Sequence, residues 1–351
     1  MTSGGAQPLR TLGLGAAAVA LGFALGMFAR DLAADARGSA GSDVALDAEA
    51  MRVAMADALR EPRTLERARA LDALLLRMGE GNVAGVEAAF DAIIVGVRDC
   101  DVEAYLHARS VFDPRGAFDH ALRWPSLHKR GLGAKAVAYS WSLRGGALEV
   151  QRITESLTAE SVREASVVGM VTGWARSEDT AGVTTFLMRL PDATMRNNVL
   201  LSFLTGALLS RRGSDALFEW FEGIPEDAPN GFKGAAFQNA LLQAGFVDPL
   251  GARALWELHL AEPWADDSLW RLAVGWQRLE PEVALDWLVE LGPRYGRNEA
   301  LKRALQRWAS RDGPAAQRWL ARTDLSGEPG LQRALRRVAR QRGETLPWDE
   351  S

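Results

Sequence analysis

Apolar residues along this chain recur with helical spacing, and few stretches alternate apolar and polar positions as a half-buried strand would. The pattern predicts an all-α protein. Two amphipathic runs open the periodic region: "DVALDAEAMRVAMADALR", stopped before Pro62, and "TLERARALDALLLRMG", ended by Gly79 and Gly81. Farther on, Ser161 followed by Glu164 reads as a capping box that opens "VREASVVGMVTGWAR". Helical signals dominate from Val44 to about Arg342, and "GETLPWDES" reads as a tail. The expected organisation is a short leader (1–10), an apolar helix (11–29), a polar linker (30–42), a helical domain (43–342) and the tail (343–351).

The later helices obey a shared grammar. "GWARSEDTAGVTTFLMRLP", "ALLSRRGSDALFEWFEGIP", "QAGFVDPLGARALWELHLAEP", "GWQRLEPEVALDWLVELGP" and "RWASRDGPAAQRWLARTD" can be laid beside one another. In each, a helix finishes, a polar break carries Asp or Glu with Pro or Gly, and a second helix carries one bulky residue before stopping. Those residues are Phe186, Trp220, Trp256, Trp287 and Trp319, spaced 34, 36, 31 and 32 apart. A period in the thirties is the length of one helix-turn-helix unit. The punctuation has a cause. Proline lacks an N–H and has a preset φ, which suits the first turn of a helix and not its interior. Pro249, Pro281 and Pro314 therefore start second helices, Asp248 is a candidate N-cap, and Pro191, Pro225, Pro263 and Pro293 close them. The tryptophans are expected to pack between helices. A compact bundle filled by the same tryptophans is the alternative.

On this period, this hairpin grammar and motifs such as W-x-x-x-x-P-x-x-A-L-x-W-L from Trp276 to Leu288, the chain resembles the right-handed α-solenoids of tetratricopeptide-like and Sel1-like repeats. The similarity covers Trp141 to Arg342, clearest at 141–324, with a degenerate form from Val44 to Arg144. It lacks the Leu-Gly and Tyr positions of the tetratricopeptide first helix, and its repeat length drifts. The resemblance implies a scaffold that binds peptides or proteins along a concave face, without catalysis.

Between Arg10 and Arg30 lie nineteen uncharged residues, "TLGLGAAAVALGFALGMFA". As a helix they would span roughly 28 Å, close to a bilayer's hydrocarbon thickness. A retained signal anchor is the expected role, which would place the C-terminal domain outside the cytoplasm on a single-pass inner-membrane protein of a bacterial-type envelope. A secretory signal cleaved near Ala34–Ala36 and a buried helix are the alternatives. Ala18, Gly22 and Gly26 recur every fourth residue, a small-xxx-small stripe that would let two such helices dimerise.

Charge sharpens the picture only locally. The formal net charge is −4, which gives the whole chain no bias toward nucleic acid. From Ser214 to Leu291, however, fourteen acidic residues face four basic ones, and from Gly292 to Arg342 thirteen basic face four acidic. Arg303, Arg307 and Arg311 follow one another at i+4, and Arg318 and Arg322 repeat the spacing on the next helix. Those five arginines are the candidate partner-binding residues. A solvated face is the leading reading of this stripe, an acidic protein or peptide or an anionic lipid is the candidate partner, and RNA is the alternative. Cys100 between Asp99 and Asp101 reads as an unreactive thiol. His107, His120, His128 and His259 form no i, i+4 pair, and no zinc, phosphate-loop or nucleophile motif occurs, so neither metal nor cofactor nor enzyme activity is expected. An enzyme whose site leaves no motif is the remaining alternative.

Overall fold

The computed structural model describes residues 46–325 and 332, apart from 178, 266, 267, 293 and 294. The apolar stretch 11–29 with Ala18, Gly22 and Gly26, its linker, Pro293 and the tail lie outside the described residues. Among those that are described there are seventeen α-helices and no strand, and no helix is long and apolar enough to cross a membrane. The chain divides into two compact units, one up to Ile93 and one from Ile94 onward.

The first unit holds α1 (Ala48–Arg60), α2 (Thr64–Leu75) and α3 (Val83–Ile93), with α1 packed on both others. The two opening helices thus fall where the apolar pattern placed them. Asp47 caps α1 by accepting from Ala50 N at 2.8 Å. The α1–α3 crossing is close: a Cβ on Gly85 would lie 1.8 Å from the Ala48 carbonyl oxygen. Asn82 donates to the carbonyls of Leu46 and Arg77 and accepts from Gly79 N, tying the α2–α3 connection to the start of α1.

The second unit is built of helix pairs. They are α4 (Asp99–Arg109) with α5 (Pro114–Leu122), α6 (Leu127–Leu143) with α7 (Ala147–Glu155), and α8 (Glu160–Arg176) with α9 (Thr180–Arg189). Next come α10 (Ala193–Phe203), which runs into a π-helical turn at Leu204–Leu209, with α11 (Ser210–Glu222), and α12 (Phe232–Ala244) with α13 (Pro249–Leu258). The last are α14 (Leu269–Trp276) with α15 (Pro281–Glu290), and α16 (Arg297–Arg311) with α17 (Gly313–Arg322). Each first helix packs on the first helix of the next pair, from α4 on α6 through to α14 on α16. Each second helix packs on its own partner, α11 doing so through the π-helical turn that continues α10, and those before the last pair also pack on the first helix that follows. That arrangement is compatible with a helical repeat fold.

Local chemistry explains the recurring turn. Asp113, Asp179, Asp248 and Asp312 cap α5, α9, α13 and α17 by accepting from the backbone N–H three residues on, at 2.8 to 3.1 Å. Glu280 holds nearly the same φ and ψ before α15 without that side-chain bond. Gly116, Gly182 and Gly251 are the donors in three cases, and a Cβ there would stand 1.9 to 2.2 Å from the capping Oδ2. The missing side chain leaves that second oxygen free to reach a neighbour, Trp174 Nε1 for Asp179 and Ser214 Oγ for Asp248. In the fourth pair the chain turns instead at Gly213, with φ at 77°.

Between pairs, side chains reach partners one period away. Trp220 Nε1 donates to Thr184 Oγ1, Trp319 Nε1 to Asp286 Oδ1 and Asn198 to Glu164, at separations of 36, 33 and 34 residues. Arg144 and Arg311, each ending a first helix, both donate to a backbone carbonyl 34 residues earlier, on Ser110 and Gln277. The expected packing role of the tryptophans holds at Trp256, Trp287 and Trp319, all buried, whereas Phe186 and Trp220 are partly exposed. Trp264 packs against Phe237 at 4.4 Å between ring centroids, Trp256 packs across pairs against Trp287 at 5.8 Å, and Trp276 packs on Trp287 within its own pair at 5.3 Å. The expected capping box at Ser161 is corrected. The helix starts at Glu160 behind Ala159, so Ser161 lies inside it, and Glu164 accepts instead from Asn198 on the next pair.

Candidate functional site

The basic helices at the end of the described chain carry the five arginines singled out by their spacing. Helix α16 buries Ala300, Leu301, Ala304, Leu305 and Trp308, and this apolar face leaves the arginines on the other. The structure divides them. Arg303 Nε donates to Glu299 Oε1 at 2.6 Å, Arg311 donates to Gln277 O at 2.9 Å, and Arg322 bonds Glu282 Oε2 at 2.6 Å on α15. Part of the uneven charge along the chain is therefore pairing between neighbouring helices. Arg307 and Arg318 are exposed and make no ion pair among the described residues. The arginines thus do not form one uniform stripe.

One of them belongs to a different cluster. The Arg303 guanidinium lies 4.2 Å from the centre of the Trp270 ring, and that of Arg271 lies 4.8 Å from the same centre. Arg271 Nη1 also donates to Asn239 Oδ1 at 3.4 Å, while its Nε is buried without a hydrogen-bond partner. Asn239, Arg271 and Arg303 sit 32 residues apart on α12, α14 and α16. Each stands nine positions before the residue that starts the next helix, namely Asp248, Glu280 and Asp312. The repeat therefore sets these three side chains side by side on successive first helices. Reading i+4 spacing within α16 finds Arg303 but misses Arg271, because the relevant spacing is the repeat period.

Its electrostatics are unbalanced. Burial lowers the Arg271 pKa, and the neighbouring Arg303 charge lowers it further. Glu299 is held below its usual range by its hydrogen bond from Lys302, against the opposing effect of burial, with the bond from Arg303 adding to the lowering. One carboxylate thus serves two cations, and among the described residues Arg271 meets a neutral amide and an indole but no carboxylate. A guanidinium stays charged throughout the physiological range, so such a group binds planar anions rather than moving protons.

The histidines stand apart from this cluster. His259 bonds Glu222 at 2.8 Å amid Phe221, Phe237 and Trp264. His120 is buried beside Tyr105 and accepts from Trp124 Nε1. His107 bonds Ser140, and His128 bonds Asp99. Cys100 is exposed, and its thiol is pushed up first by partial burial of the sulfur and then by the Asp101 charge. No protein-family model matches the chain, and neither the curated proteins nor the solved structures supply a match.

Proposed function

We propose that the protein is a non-catalytic scaffold of the cell envelope. In this reading a right-handed α-solenoid, anchored to the inner membrane by residues 11–29, holds a protein or peptide partner on the face formed by its first helices. The observation that carries it is the stacking of each first helix on the next, with side chains bonded one repeat period apart. Such stacking gives every pair the same neighbours and aligns equivalent positions into one long surface, the usual basis of recognition by helical repeats. Asn239, Arg271 and Arg303 are an instance of that alignment.

Two measurements test the reading. A phosphatase reporter that works only outside the cytoplasm, fused after Ser351, should be active; an inactive fusion would sink the proposed topology. Small-angle scattering of the second unit should give a radius of gyration clearly larger than that of a compact domain of equal length. A compact value would remove the solenoid.

A further inference from the structure

Within the scaffold reading, on which this step rests, one cluster has a chemical preference of its own. We propose that Arg271, Arg303 and Trp270 form a receptor for an acidic side chain of a peptide partner. Two guanidinium groups share one indole, and all three side chains are partly exposed, so a ligand can reach them. Among the described residues, Arg303 shares the Glu299 carboxylate with Lys302, and Arg271 bonds no carboxylate. Positive charge is therefore left over where burial already makes it costly, as the lowered Arg271 pKa shows.

A carboxylate placed between the guanidiniums would offset the repulsion between Arg271 and Arg303 and accept forked hydrogen bonds from a planar donor. Trp270 adds an apolar wall beside the ligand, which lowers the local dielectric and strengthens the contact. Asn239, buried and bonded to Ala235 O and to Arg271, holds the Arg271 guanidinium in place from below.

The surroundings favour a peptide over a nucleic acid. A nucleic-acid backbone needs a row of cations along its length. The first helices α12 and α14 carry only Lys233, which is bonded to Glu226, and Arg271. A single carboxylate needs only the paired guanidiniums of Arg271 and Arg303.

The test uses the full chain in detergent and a fluorescein-labelled hexaglutamate peptide, read by fluorescence anisotropy. Hexaglutamine and a hexauridylate RNA are the comparison probes. Hexaglutamate should bind and hexaglutamine should not. Arg271→Gln and Arg303→Gln should each weaken hexaglutamate at least tenfold. Arg318→Gln, which removes the same charge from exposed α17, should leave binding within twofold. Arg303→Lys keeps the charge without the fork and should weaken binding less than Arg303→Gln, which guards against a loss caused only by misfolding. Equal loss in Arg318→Gln would reduce the effect to net charge and overturn the site. Tighter binding of hexauridylate, abolished by the same two variants, would also overturn it in favour of RNA. Absence of hexaglutamate binding while scattering still reports an extended second unit would defeat this receptor and leave the scaffold standing.

Discussion

Gly169 and Gly173 on α8 let two backbones meet. A Cβ on Gly173 would come 2.2 Å from the Tyr139 carbonyl oxygen, and one on Gly169 would come 2.2 Å from that of Lys135. Both obstacles are backbone of α6, so no side-chain rotation relieves the overlap. On an exposed helix, Gly→Ala stabilises by about 1 kcal/mol through helix propensity. Here overpacking opposes it, at about 1–3 kcal/mol for an inserted methyl with no space to enter. The second effect is larger. Gly173→Ala should therefore lower the urea midpoint of unfolding, and an unchanged or higher midpoint would show that α6 and α8 separate cheaply. This contact was not legible beforehand. The glycines sit inside "VREASVVGMVTGWAR", where the apolar pattern announces a helix and says nothing of which residues touch a neighbour's backbone. The same limit hid Arg271, whose role depends on an indole and an arginine in two different helices.

At the scale of the element, the second helices of the pairs were the most legible part. Pro249 and Pro281 occupy the first helical position, and Asp248 and Asp312 cap as their side chains allow. Earlier pairs escaped the same reading for a specific reason. "DPRG" at Asp113 turns the chain as "DPLG" does at Asp248, but seven residues after the cap stands His120, and in α7 Ile153, where Phe186, Trp287 and Trp319 stand in later pairs. Both are buried, so the packing position persists while its aromatic marker is gone. The first helices of these pairs have their own tie. The Lys129 ammonium on α6 is buried, and it bonds Val97 O and, at 2.7 Å, Asp99 Oδ1 at the start of α4. Burial alone would raise the Asp99 carboxyl, but hydrogen bonds from Lys129 and His128 outweigh it and hold the group below its usual range. A carboxylate so depressed stabilises the fold above its unfolded pKa, near 3.9, and that contribution fades as pH falls through the folded value. Asp99→Asn should cost about 1–2 kcal/mol at pH 7, mostly by stranding the buried ammonium, since the exposed half of the pair is screened. In urea titrations the gap between variant and parent should close as pH drops below about 3.9. A gap that stays constant down to pH 3 would remove Asp99 ionisation from the account.

For the molecule as a whole, the decisive property of a repeat array is that each pair feels only its neighbours. In the second unit α17 packs on α16, and Trp319, fully buried, reaches back to Asp286 on α15 at 2.7 Å. No corresponding link joins α17 to α4 or α6 among the described residues. Trp319→Ala removes a large buried side chain, at a cost of about 3–5 kcal/mol. In a single cooperative core that loss would speed amide exchange everywhere by the same factor, since every slow amide would exchange through one global opening. In a stacked array the loss stays local, because the last pair can open while the earlier ones remain closed. Hydrogen exchange of Trp319→Ala should therefore show amides of α16 and α17 exchanging at least a hundredfold faster. Those of α15 should change less, and those of α4 to α8 should match the parent. Uniform acceleration through α6 and α8 would make the unit one cooperative core and take away the physical basis of a modular binding face. A graded response would also bear on Arg303, which lies on the opening pair itself, and on Arg271, on the first helix of the pair before it. Ligand held there would be expected to slow the exchange of α14 and α16 while leaving α6 untouched.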